Sequence, residues 1–230
     1  MVQQLVEGDL RGKELVALTG RPPNLVTYHL AQLRAEGLVS VRRSAADGRD
    51  SYFALDLDAV GRAMEDVAAA LGIRRGLHAS LAAAFEPNRP ASTARVLFIC
   101  TGNSSRSQMA EGWLRHLGGP QMVACSAGTA PTQLHPLAVT AMREHGVDIA
   151  RQVAKPVSVF VGQRFDRVIT LCDRAREACA ELPPARAAAH WSIPNPSEMH
   201  PPDLDAYRAT ARELETRVRH LLARLGRSLP

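Results

Sequence analysis

Val96-Leu97-Phe98-Ile99-Cys100-Thr101-Gly102-Asn103-Ser104-Ser105-Arg106-Ser107 is the stretch on which the reading of this chain turns. Its four leading apolar residues suit a buried parallel strand. The strand delivers Cys100 into a loop of small residues, and a helix is expected from Arg106 or Ser107 to Leu117. Strand, tight loop and helix together turn successive backbone N–H groups towards an anion. Five residues separate Cys100 from Arg106, which lets the loop wrap a tetrahedral oxyanion. The Cys100 sulfur then lies beneath the central atom while the Arg106 guanidinium grips two oxygens in a fork. The same field favours a reactive thiolate. Thr101, Gly102, Asn103, Ser104, Ser105, Arg106 and Ser107 are therefore the candidate oxyanion-binding residues. Gly102 is expected to permit a crowded backbone angle, Asn103 to turn left-handed or brace the loop, and Ser107 to hydrogen-bond the sulfur. A bare Cys-x5-Arg match is weak; the combination with an apolar strand and an amphipathic helix gives it weight.

Three further cysteines follow, Cys125, Cys172 and Cys179, and none lies in the first 99 residues. Val168-Ile169-Thr170-Leu171 reads as another apolar strand ending at Cys172. In a parallel sheet its end can share an edge with Cys100. Cys179 lies seven residues on; if the segment between is helical, the two sulfurs stand about 10 Å apart. Bridged Cα atoms lie within about 7 Å, so a direct disulfide requires that helix to loosen. Core filling is the plain alternative for both residues. Three thiols together also suit a soft ion such as arsenite, whereas the regular close spacing of a zinc knuckle is missing and no metal site is expected. Cys125 reads as a buried apolar residue of a strand.

From residue 95 to about 227 the chain resembles the low-molecular-weight tyrosine phosphatase fold and, within it, the arsenate reductases that rely on thioredoxin. The loop quoted above carries the match as far as Gln108-Met109-Ala110-Glu111-Gly112. Ser126-Ala127-Gly128-Thr129, His135-Pro136-Leu137-Ala138 and Phe165-Asp166-Arg167-Val168-Ile169-Thr170-Leu171-Cys172-Asp173 extend it. The resemblance implies an α/β domain: a four-stranded parallel sheet with helices on both faces and the active loop after its first strand. It also implies a sequence of events. Cys100 forms a thiol-arsenate adduct, Cys172 attacks Cys100 as arsenite departs, and Cys179 moves the disulfide to a Cys172–Cys179 pair that thioredoxin reduces. Cys100, Arg106, Cys172 and Cys179 are the catalytic candidates, with no tightly bound cofactor. The family's Asp-Pro general acid is replaced in His190-Trp191-Ser192-Ile193-Pro194-Asn195-Pro196: Asn195 occupies the acid's place. An amide binds an oxyanion but gives no acidic proton, and such acid catalysis is worth about 10²–10⁴-fold. Asp203 and Asp205 are poor substitutes, since neither stands in the Asp-Pro context.

The amino-terminal part reads differently. Residues 11–19 suit a short helix broken by Gly20-Arg21-Pro22-Pro23. Asn24 is expected to cap a second helix from Leu25 to Glu36, stopped by Gly37. Leu38-Val39-Ser40-Val41-Arg42-Arg43 and Ser51-Tyr52-Phe53-Ala54-Leu55 read as strands joined through the Asp47-Gly48-Arg49 turn. Helix, turn, helix and hairpin is the order of a winged helix-turn-helix. Thr27, His29, Gln32 and Arg34 are candidate groove contacts, with Arg42, Arg43 and Arg49 suited to DNA backbone on the wing. The run from Thr27 through Val39, followed by Asp47-Gly48-Arg49 and an aromatic strand, resembles the ArsR family of arsenic- and metal-responsive repressors. That resemblance implies a dimer and operator DNA, yet this part holds none of the cysteines with which many members sense metal. Residues 1–60 carry seven Lys and Arg against eight Asp and Glu, so a DNA surface must come from local clustering rather than overall charge.

The expected organisation is a DNA-binding domain with a possible dimerisation helix over 1–85, a linker over 86–94 and a reductase-like domain over 95–230. Residues 59–84 look helical, with Leu71, Leu77 and Leu81 suited to a dimer interface or to packing on the winged helix. A final amphipathic helix is expected from Leu204 to Leu225. Among 230 residues, 46% are hydrophobic and 22% charged, a balance that excludes a mostly disordered chain. No apolar run nears the roughly 20 residues that cross a bilayer. MVQQLVEGDLRG has no basic start before an apolar core, so the expected location is cytoplasmic. The leading functional expectation is a thioredoxin-coupled arsenate reductase joined to its regulator. The alternative is a weak or inactive enzyme that senses arsenate or arsenite for a repressor, and a tyrosine phosphatase is the third reading.

Overall fold

The computed structural model describes residues 1–72, 93–179, 183–198 and 203–226. The amino-terminal region contains α1 (Val2–Leu5), β1 (Leu10–Arg11), α2 (Gly12–Thr19), α3 (Pro23–Ala35), β2 (Val39–Arg43), β3 (Ser51–Leu55) and α4 (Leu57–Ala70). Gly20, at φ 61°, closes α2 in the left-handed region, where a glycine meets no Cβ penalty. Pro22 stands at the N-cap of α3 and Pro23 is its first residue. Asn24 therefore lies inside the first turn instead of capping it, because proline's fixed φ suits the first helical position. The strands form an antiparallel sheet in the order β1-β3-β2. Leu5, Leu15, Val26, Leu30, Val39 and Leu55 make its apolar core. Two residues of β1 are too few for any periodic signal, and α1 is a single turn; neither was foreseen. Of the helix expected over 59–84, α4 covers the first part, while Leu77, Leu81 and nearly all of the expected linker lie outside the described residues.

The carboxy-terminal region is built of β4 (Ala94–Cys100), α5 (Arg106–Gly118), β5 (Met122–Gly128), α6 (Pro136–Glu144), β6 (Phe165–Thr170), α7 (Asp173–Ala178), β7 (Ala185–His190) and α8 (Leu204–Arg224). Its four strands are parallel, in the order β5-β4-β6-β7. Val96, Leu97, Phe98 and Ile99 of β4 have no solvent exposure, as expected of a strand covered on both faces. The core is a second apolar cluster, to which α5 and α8 contribute Met109, Trp113, Leu114, Leu214, Val218 and Leu222. The edge strand β7, Ala185-Arg-Ala-Ala-Ala-His190, carries a helix-favouring composition; its pairing with β6 overrides that propensity. No described helix is long and apolar enough to cross a membrane.

The two regions touch along the carboxyl edge of the parallel sheet. Asp9, 2% exposed, accepts the Ser192 N–H at 2.6 Å and is bridged by Arg217 at 2.9 Å, while its own N–H donates to the His190 carbonyl at 2.6 Å. A Cβ at Gly8 would stand 2.8 Å from that carbonyl, so this approach requires glycine. Farther along, the Tyr52 ring lies 4.7 Å from that of His190, and Asp173 accepts the Ala45 N–H at 2.7 Å.

Candidate active site

Cys100 ends β4 and is 2% exposed. Its Sγ lies 2.9 Å from Ser107 Oγ and accepts the Asn103 N–H at 3.2 Å. The loop is aimed from outside. The carbonyls of Cys100, Thr101, Gly102 and Ser104 accept the N–H groups of Thr129, Ala130, Thr132 and His135, at 3.1, 2.9, 2.8 and 2.8 Å. Because C=O and N–H point oppositely across a trans peptide, the amides that follow these carbonyls face the loop interior. The amino terminus of α5 adds its positive end to the same point. This brace acts through backbone N–H groups, so its role is not legible in the sequence although Thr129 and His135 lie in stretches that carry the resemblance.

Asn103 is the one non-glycine residue at positive φ (44°) among the described residues. The left-handed turn thus falls on Asn103, and Gly102 serves by its size: a Cβ there would meet Ser104 Oγ at 3.0 Å. The Asn103 amide also braces the loop. Its Nδ2 donates to Ser107 at 2.9 Å and Ser126 at 2.8 Å, and its Oδ1 accepts the Lys155 N–H at 2.7 Å. Ser126 in turn donates to the buried Glu111. Arg106, 7% exposed, donates through one terminal nitrogen to the Ile193 carbonyl at 2.9 Å. Its Nε is buried without a partner, a cost that an oxyanion in the loop would remove.

The second thiol is beside this loop. Parallel pairing of β4 with β6 aligns Ile99 with Thr170, and the Leu171 N–H donates to the Ile99 carbonyl at 2.7 Å. Cys172 therefore emerges at the same edge, 5% exposed, with Thr101 Oγ1 3.3 Å from its Sγ. It caps α7, accepting the Ala175 N–H at 3.4 Å, and Cys179 closes the far end of that helix. Burial, then the neighbouring Cys172, pushes the Cys179 thiol above its usual pKa. All four cysteines are free. Cys125 is half-buried against the core, with burial and Glu111 raising its thiol pKa, and it lies away from the loop edge on β5.

A cleft of about 830 Å³ opens over Cys100 and is lined by Thr101, Arg106, Cys172, Asn195 and, from the amino-terminal hairpin, Arg42 and Arg43. Asn195 Oδ1 accepts the Ser197 N–H at 3.4 Å. Asp203 caps α8 and Asp205 pairs with Arg208 at 2.8 Å, so neither replaces the missing acid. His135 caps α6 through Leu137 and stacks on Tyr207 at 4.8 Å, and burial lowers its pKa. Asp173 was missed as a site residue. It is 3% exposed, and despite burial, which acts to raise it, hydrogen bonds from His190, Ser192 and Ala45 hold its pKa at about 2. His190 is pushed the other way, its pKa lowered by burial against the pull of Asp173.

The amino-terminal candidates divide. Thr27, His29, Gln32 and Arg34 are all exposed on α3, and Arg43 and Arg49 are exposed on the hairpin, Arg49 paired with Asp47 at 3.1 Å. Arg42 is half-buried, faced by Asp173, Glu213 and Asp9, and burial lowers its pKa. It is turned into the cleft between the regions, which corrects its expected place on an open wing surface.

A cysteine at the start of an anion-cradling loop between the first strand and first helix of a four-stranded parallel sheet is the arrangement of a class of phosphatase-like enzymes. Residues 95–230 match the family model of the low molecular weight phosphotyrosine protein phosphatases, and the chain belongs to that family. Within it, an arsenate reductase of Bacillus licheniformis is 42% identical over 103 residues, covering 45% of this chain and 74% of that protein. An arsenate reductase of Bacillus subtilis (strain 168) is 40% identical over 102 residues, 44% of this chain and 73% of the relative. Among solved structures, an arsenate reductase in its oxidized state superposes with a TM-score of 0.50 at 32% identity, over 57% of this chain and 98% of that one. The tyrosine phosphatase Wzb from Escherichia coli K30 superposes at 0.51 with 22% identity, over 58% and 99%, a likeness of fold. Membership of this family makes the chain an enzyme.

Proposed function

We propose that the chain reduces arsenate to arsenite through Cys100, Cys172 and Cys179, with thioredoxin as the reductant. The observation that carries this reading is a second thiol at the Cys100 edge, Cys172 in contact with Thr101 of the loop, with a third, Cys179, at the other end of the helix that Cys172 caps. Phosphate ester hydrolysis needs one cysteine and leaves the other two without a task. Arsenate condenses with the Cys100 thiol, releasing water. Cys172 then attacks Cys100 Sγ, and the electrons of the S–As bond leave with arsenic as arsenite. Cys179 attacks Cys172 Sγ, returning Cys100 as thiolate, and a dithiol reductant supplies two electrons and two protons to the Cys172–Cys179 disulfide. Thr101, Gly102, Asn103, Ser104, Ser105, Arg106, Ser107 and Asn195 hold the oxyanion. Asn195 removes the proton donor an aryl phosphate would need, which places tyrosine phosphatase activity below reduction.

The same proposal assigns residues 1–85 to a winged helix-turn-helix that binds operator DNA, 86–94 to a linker and 95–230 to the reductase. Support comes from the helix, helix and hairpin order, with Thr27, His29, Gln32 and Arg34 exposed on α3 and Arg43 and Arg49 exposed on the hairpin. Met64, Val67 and Leu71 are exposed on and just after α4 and suit a homodimer contact. Three working thiols fit a reducing, cytoplasmic setting. A second reading, an arsenic-responsive repressor whose enzyme half is slow, is favoured by Asn195 and by Arg42 lining the cleft. The test follows arsenite production from arsenate with thioredoxin, thioredoxin reductase and NADPH, beside Cys100→Ser. Turnover absent in the variant supports the reductase. Folded, reduced protein that makes no arsenite moves the reading to the sensor.

A further inference from the structure

We propose that α7 is also a clasp for the amino-terminal region, and that a Cys172–Cys179 disulfide releases the β2–β3 hairpin from it. The inference rests on the relay proposed above. Three of the six residues of α7 hold the other region. Asp173 Oδ2 accepts the Ala45 N–H at 2.7 Å, Arg174 Nε donates to the Ala45 carbonyl at 3.4 Å, and Arg176 pairs with Glu14 at 2.6 Å. The Arg176 guanidinium also lies 5.3 Å from the centre of the Tyr52 ring on β3.

The two thiols that must join stand at the opposite ends of this helix, Cys172 as its N-cap and Cys179 as its C-cap. Six helical residues lie between them, seven steps along the axis, which separates their Cα atoms by about 10 Å, and a disulfide brings Cα atoms within about 7 Å. Cys179 cannot reach Cys172 while residues 173–178 stay helical. The bond therefore dismantles the geometry that presents Asp173, Arg174 and Arg176 to the hairpin. Contacts outside α7 remain: Tyr52 of β3 on His190, Asp9 with Arg217, Ser192 and His190, and Glu7 with Arg224. Release is accordingly local. The turn at Ala45 lifts from α7 while the hairpin base stays held at Tyr52 and the amino-terminal region at Asp9, so the redox state of the pair reaches the tip of the hairpin.

The experiment uses the full reduced chain in two arms. In one, arsenate without reductant oxidises the relay. In the other, diamide takes two electrons and two protons from the thiols directly. Mass spectrometry of peptides identifies the disulfide, and amide hydrogen exchange is followed by NMR. With Cys172–Cys179 formed, exchange at Ala45 is expected to rise at least about tenfold, the loss of one charge-assisted hydrogen bond. The Asp9 and Ser192 amides should keep their protection. An unchanged Ala45 amide in chains carrying that disulfide overturns the clasp, as does equal loss at Asp9, which would mean general loosening. Failure of arsenate with success of diamide sinks the reductase and leaves the clasp standing; failure of both to form the bond overturns the clasp too. Linkage supplies a second readout. Glu14→Gln weakens the clasp while leaving the sequence of α7 unaltered, and should favour the disulfide about twofold to fivefold against glutathione. No shift in that equilibrium overturns the coupling.

Discussion

The loop that carries Cys100 and the helix that carries Cys172 and Cys179 stand on one sheet edge and are built on opposite principles. Around Cys100, four loop carbonyls are held by the chain from residue 129 to 135, and Asn103 alone ties together Ser107, Ser126 and Lys155. Helix α7 has six residues; Asp173 ties it to His190 and Ser192 of its own region, and Ala45 and Glu14 hold it from the other. A nucleophile that must meet an oxyanion gains from donors fixed before the ligand arrives. Thiols that must change partners need a segment of low local stability. On the proposed relay, a fixed loop and a helix that must open stand side by side.

The largest expected effect separates the two regions by their chemistry. Cys100→Ser should abolish arsenite formation altogether, whereas Cys179→Ser should release about one arsenite per chain and then stop. A single-turnover assay with excess arsenate reads both. If Cys179→Ser turns over like the parent, α7 has no place in the relay and the division fails. Next comes Asn195→Asp, which restores an acid above the loop. Hydrolysis of an aryl phosphate should rise by up to about 10²–10⁴-fold, with no need of Cys172 or Cys179. An unchanged rate would show that the cleft itself, lined by Arg42 and Arg43, keeps aryl esters out.

Stability should follow the same contrast. Asn103→Ala places alanine at φ 44° and strips partners from Ser126 and the Lys155 amide, in a site with no solvent exposure. A loss of about 3 kcal/mol in urea unfolding is expected. The clasp end of α7 is sensitive to acid instead. The Asp173 pKa falls from 3.8 unfolded to about 2 folded. A depressed carboxyl stabilises the fold above its unfolded pKa and loses that contribution as pH drops through the folded one. Asp173→Asn should therefore cost about 2 kcal/mol near pH 7. Between pH 4 and pH 2 the difference from the parent should shrink, and a constant difference across that window would show that Asp173 acts by shape alone.

What could be read beforehand follows from where each signal resides. Apolar runs ending in Cys100 and Cys172 declared two buried strands and their shared edge, because burial on both faces leaves a continuous apolar run. The loop declared its chemistry through Cys100, Arg106 and Ser107. Thr129 and His135 stand in stretches that carry the family resemblance, but the brace they form with Ala130 and Thr132 acts through backbone N–H groups, which any side chain can supply, so its role left no mark. Strand β7 was hidden by its alanines. Asp173 looked like one acid after a cysteine; its task depends on Ala45, 128 positions earlier, a distance no local pattern spans. Arg42 was assigned to an open wing for the same reason, since nothing on its own strand shows that Asp173 and Glu213 face it.

Cys125 gives the smallest expected effect and the sharpest control on the comparison. It lies on β5, next to β4 in the sheet, with Leu97 as its partner in register. That register sets it three residues short of Gly128, which pairs with Cys100, so about 10 Å of strand separates it from the working edge. Burial and Glu111 both disfavour its thiolate. Cys125→Ala removes one half-buried sulfur from a strand and should cost under about 1 kcal/mol. Arsenite turnover, and the Cys172–Cys179 pair found after oxidation, should be unchanged. A fall in turnover with stability intact would bring a fourth thiol into the relay. Electrons would then cross the sheet interior as well as its edge, and the division between a fixed loop and a loose helix would no longer account for the order of exchange.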